Sequence, residues 1–88
     1  MNSLGLFPFM FRGIISQDSD FNLLPYDGWY KMEGCSNSPN SAGIDWGVLV
    51  NITTNGHYKF QIATNNRETI RIRLGDSNFR NWRTISLT

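Results

Sequence analysis

His57 and Cys35 are the only histidine and the only cysteine in this 88-residue chain. A Cys/His zinc site needs four ligands and an internal disulfide needs two thiols, so neither can be built from them. A serine or cysteine nucleophile needs an adjacent base and a group that orients it. His57 follows Gly56 in an Asn-Gly turn, where a solvated side chain is the ordinary outcome. Glycoside hydrolysis needs two carboxylates facing a groove at a set separation. Asp18, Asp20, Asp27, Asp45 and Asp76 lie mostly in turn-like segments, where Asp bonds its own backbone. Asp18 and Asp20 make a thin cluster without EF-hand spacing, and no Gly-rich phosphate loop is present. The residues point to no catalytic group, no metal and no cofactor. They point to binding.

Sugars present flat C–H faces ringed by hydroxyls. Exposed aromatic rings beside planar polar groups suit them. Trp29 alternates with Tyr30, so Trp29 and Lys31 face outward if Tyr30 and Met32 face the core. The loop from Glu33 to Asp45 is rich in amides and hydroxyls, with Asn37 and Asn40 its candidate contacts. It is the best ligand candidate, because loops on a rigid scaffold carry function. Arg71 and Arg73 share one strand face, near Lys59 and Gln61 if the hairpin pairs as expected. The competing reading makes Trp29 a core or subunit-interface residue. It makes Arg71 and Arg73 a solvated face or interchain salt-bridge partners.

The elements that must carry these residues are strands. Two-residue alternation puts Trp46, Val48, Val50 and Ile52 on one face, as it does Tyr58, Phe60 and Ile62, and again Ile70, Ile72 and Leu74. Trp46 and Tyr58 are therefore expected in phase with the core, and Lys59, Gln61, Arg71 and Arg73 on a wet face. Further strands are expected over Gly13–Ser16, Trp29–Met32 and Thr84–Leu87. Asn55-Gly56 sits between two β runs and predicts a hairpin. One helical turn is expected at Phe21–Leu24, capped by Ser19 or Asp20 and stopped by Pro25. The fold class is all-β: a small antiparallel meander, sheet or sandwich, with at most that one helical turn. No βαβ spacing exists, which excludes a Rossmann-type fold.

Eight Lys/Arg against seven Asp/Glu lack the positive excess that a nucleic-acid binder needs. Residues 1–57 hold two Lys/Arg against five Asp/Glu, and residues 58–88 six against two. In an oligomer such halves complement one another; in one solvated sheet they are two faces. Leu4, Leu6, Phe7, Phe9, Met10 and Phe11 form an apolar leader. It is shorter than the ~20 residues that cross a bilayer, and it lacks the basic start and cleavage site of a signal peptide. Membrane insertion is not expected. Leu6, Phe7, Phe9 and Phe11 are the candidate oligomer interface, the alternative being an edge strand packed on the domain itself.

The order of segments resembles the pyocin knob family, small domains at the ends of phage tail fibres and pyocin-like particles. The resemblance rests on Asp20-Phe21-Asn22, Gly28-Trp29-Tyr30, Gly47-Val48-Leu49-Val50, Phe60-Gln61-Ile62, Ile70-Arg71-Ile72-Arg73, and Phe79 with Trp82-Arg83-Thr84-Ile85. It covers residues 13–88. Residues 1–12 lie outside the pattern as a fibre-shaft remnant or interchain contact segment, and Ile72 stands where an aromatic is expected. The resemblance implies a homotrimeric, non-enzymatic knob on a virion tail fibre, assembled in the bacterial cytoplasm. Its expected partner is a bacterial surface glycan or other host receptor. A structural trimerising cap and a carbohydrate-binding module are the alternatives.

Overall fold

The computed structural model describes residues 10–54, 58–65 and 67–85. The strands are β1 (Phe11–Ile15), β2 (Gly28–Glu33), β3 (Trp46–Ile52), β4 (Lys59–Asn65), β5 (Ile70–Gly75) and β6 (Arg83–Ile85). They lie side by side in sequence order in one sheet. The protein is thus all-β. β2 to β6 form the expected antiparallel meander, whereas β1 runs parallel to β2. The return between them, residues 16–27, is about the dozen residues that a parallel connection needs. Phe11 and Arg12, assigned above to the leader, belong to β1. Leu6, Phe7 and Phe9 lie outside the described residues, as do the hairpin tip with His57 and residues 86–88.

β1 reaches β2 through Gly28. Its φ of +141° suits glycine, and a Cβ there would strike the Met10 carbonyl oxygen and the Arg12 side chain. The Trp29 N–H donates to that same carbonyl at 3.0 Å. The expected helical turn is a reverse turn instead. The Leu23 N–H donates to the Asp20 carbonyl at 2.9 Å, and Asp20 Oδ1 accepts the Asn22 N–H at 2.9 Å. Asp20 keeps its capping role without a helix to cap.

β2 buries Tyr30 and Met32 as expected, whereas β3, β4 and β5 bury the phase opposite to the one their alternation suggests. The core is Ile15, Tyr30, Met32, Leu49 and Ala63 from the strands, with Phe21, Cys35, Ala42 and Ile44. On the same face Asn51 and Gln61 are 0% exposed and Arg73 is 5% exposed. Trp46 and Tyr58, expected in the core, are 58% and 77% exposed. The reason lies in the second layer, which is built from loops and not from another sheet. The loops pair some of their backbone groups among themselves, but the remaining carbonyls need donors, and burial without partners is costly. Polar side chains on the sheet supply them. Gln61 Nε2 donates to the Phe21 carbonyl at 2.6 Å, Asn51 Nδ2 to the Tyr26 carbonyl at 3.0 Å, and Arg71 Nη1 to the Ala42 carbonyl at 2.6 Å. The oily rows of β3, β4 and β5 are left on the uncovered face.

Candidate functional site

Cross-strand register aligns Asn51 with Gln61 and Gln61 with Arg73. Gln61 Nε2 also donates to Asn51 Oδ1 at 2.9 Å, and Gln61 Oε1 accepts the Arg73 Nε–H at 2.8 Å. The Arg73 guanidinium lies 3.9 Å from the Phe79 ring centroid and 4.9 Å from that of Trp82. Such stacking is worth about 2 kcal/mol when desolvated. Burial lowers the Arg73 pKa to about 10, with Asp20 opposing the shift. Arg73 was a candidate ligand residue and part of an expected wet face. It is instead taken up inside the molecule and is too covered to meet a glycan.

The other candidates do not converge. Trp29 and Lys31 face outward as expected, but on the uncovered face, opposite to the loops. Lys31 pairs with Glu33 at 3.0 Å, and the Trp29 ring sits 4.6 Å from that of Phe11. Asn37 is exposed in the polar loop. Asn40, at φ +60°, ties the two loops and the C-terminal segment together. Its Nδ2 donates to Asp20 Oδ1 at 2.8 Å, and its carbonyl accepts the Trp82 indole N–H at 3.0 Å. The Asn40 bond holds the Asp20 carboxyl below its ordinary 3.8. Asn40 is a brace, with its amide engaged by protein.

Arg71 does line an opening. A groove of about 560 Å³ runs between the end of the polar loop and the β4–β5 turn, bordered by Asp45, Trp46, Arg67, Thr69, Arg71 and Thr84. β3 places Trp46 at its first residue, and β5 and β6 pair Arg71 with Thr84. Asp45 closes the loop: its Oδ1 accepts the Ser36 N–H at 3.0 Å, and the Ser36 contacts keep its carboxyl ionised to lower pH than usual. Asn65 Oδ1 orders the turn by accepting the N–H groups of Arg67 at 2.9 Å and Thr69 at 3.2 Å. The Arg71 Nε–H is buried without a protein partner. An exposed indole, a carboxylate, two guanidiniums and hydroxyls thus meet at one opening. Sequence reading placed Arg71 and the polar loop here but read Trp46 as core. A bulky aromatic at a strand's first residue, directly after a loop, was the signal for a rim position.

Among the described residues no group of three or more His, Cys, Asp or Glu is placed to hold a metal ion. Among these residues, too, no helix is long and apolar enough to cross a membrane. Compared with protein-family models, with curated proteins and with solved structures, the chain matches none.

Proposed function

We infer that the chain is a non-catalytic attachment module which holds a glycan of a bacterial surface in the groove beside Trp46. The observation that carries this reading is the composition of that opening. Trp46 is 58% exposed, and Asp45, Arg67 and Arg71 bring planar polar groups to the same opening. A ring covers a sugar's C–H face at small entropic cost, and carboxylate and guanidinium groups fix hydroxyls by paired hydrogen bonds. An open groove on so small a domain suits weak single-site binding, raised ~10²–10⁴-fold when several copies act together. The ordered segments from Asp20-Phe21-Asn22 to Trp82-Arg83-Thr84-Ile85 support placing the module at the tip of a phage, prophage or pyocin-like tail fibre.

The test is a glycan array and a bacterial cell-binding assay, run on the 88-residue chain and on Trp46→Ala. The expected result is a bound glycan class and an affinity loss of about tenfold in the variant, about 1.4 kcal/mol, with the fold intact by circular dichroism. Binding that survives Trp46→Ala unchanged, or no glycan and no cell bound, rejects the reading.

A further inference from the structure

The uncovered face of the sheet is an almost continuous apolar surface. Trp29, Val50, Ile62 and Ile72 form one cross-strand row that ends at Arg83. Ile52, Phe60 and Leu74 form a second. Val48 and Ile70 extend a third, broken by Lys31 and Thr64. Phe11 and Ile14 continue the surface onto β1. Leu74 is 56% exposed, Phe11 49% and Val48 39%. The charges on it are few: the Lys31–Glu33 pair on β2, between Ile14 and Val48, and Arg83 on the edge strand β6. A largely apolar face with few charges is the anatomy of a protein interface.

We propose that this face is the contact between copies of the chain, which pack sheet against sheet through it. Six strands about 4.8 Å apart, each about six residues of ~3.3 Å, give a face of about 24 by 20 Å. Two such faces in contact remove on the order of 1,000 Å² from water, where specific interfaces begin. A second copy also matches the shape, since flat sheets stack at about 10 Å with interdigitating side chains. Residues 1–9 are too few to do the same. An extended segment turns only alternate side chains to one side, roughly four or five against about a dozen apolar positions on the face. Its N–H and C=O groups would also lie unpaired on an apolar surface. The proposal does not rest on glycan binding: Arg71 and Thr84 of the groove lie on the loop-covered side, and Trp46, in phase with Val48 and Val50, stands only at the end of this face.

Sedimentation velocity and light scattering on the full chain test it. The expected mass at micromolar concentration is two or more times 10.1 kDa. Ile62→Lys and, at a more exposed position, Val48→Lys are expected to fall to 10.1 kDa while keeping a β-rich circular dichroism spectrum. Removal of residues 1–9 is expected to leave the assembly in place. A wild-type chain that stays at 10.1 kDa, or folded lysine variants that still assemble, overturns the proposal. An assembly that dissolves when residues 1–9 are removed overturns it too, and assigns the contact to that segment.

Discussion

Replacing Gln61 with leucine puts an apolar side chain of similar size into the core of a small β domain, and we expect it to be severely destabilising. Gln61 is 0% exposed and makes three bonds. It donates to the Phe21 carbonyl at 2.6 Å and to Asn51 Oδ1 at 2.9 Å, and it accepts the Arg73 Nε–H at 2.8 Å. Leucine removes all three. A neutral bond is worth about 1 kcal/mol, and one to a charged group about 1.5–3 kcal/mol. Arg73 has a further buried donor, Nη2, already without a partner, so its guanidinium would be left with little but ring stacking. The total comes to about 3–5 kcal/mol, a large part of the ~5–15 kcal/mol that holds a typical domain. In a chain of this size it lowers the melting temperature by more than about 12 °C. Urea and thermal unfolding, followed by circular dichroism at fixed dilute concentration, measure it. Arg73→Met and the double variant complete a cycle, with an expected coupling of at least about 1.5 kcal/mol. Ile62→Thr, one residue along on the uncovered face, is expected to cost less than Gln61→Leu. A loss under about 1 kcal/mol for Gln61→Leu, or a larger loss for Ile62→Thr, would refute the assignment of the polar row to the inside.

Trp29→Ala is expected to leave the monomer folded and to weaken self-association, read as a lower mass at equal concentration, because its ring sits on the uncovered face beside Phe11. Stability is expected to fall in acid through the Asp20 brace. Its folded pKa lies below the ordinary 3.8, so the unfolded chain binds protons first; the contribution is present above that value and is lost as pH falls through the folded one. The wild type should therefore lose more melting temperature between neutral and acidic pH than Asp20→Asn does, and equal losses would exclude the brace. Cys35 is 0% exposed and burial raises its thiol pKa, so alkylation of the native protein is expected to be slow and to follow unfolding. Fast native labelling would show that the loop layer opens. Gly28→Ala is expected to cost at least about 1–3 kcal/mol from backbone strain and to free β1, seen as faster amide exchange at Ile14 and Ile15.

The positions of the strands were legible because two-residue alternation shows wherever one side of a strand is oily. β3 (Trp46–Ile52) is the expected run without a shift, and β4 and β5 differ from expectation by one or two residues. The Asn55-Gly56 signal foretold the β3–β4 pairing. The site was only partly legible. Arg71 and the polar loop do border the groove, but Arg73 lies inside, and Trp29 and Lys31 lie on the opposite face. Trp46 and Arg67 were not selected, because their places depend on where a loop and a turn meet in space.

Alternation fixes which residues share a face, and the sequence alone therefore determined an all-β chain with one oily and one polar row. It carries no information on which row is covered, since both phases repeat every second residue. Tertiary structure decided that. The segments 16–27 and 34–45 cross one face, and their carbonyl groups require donors. Asn51, Gln61 and Arg71 provide them, and the apolar row is left facing away from the loops.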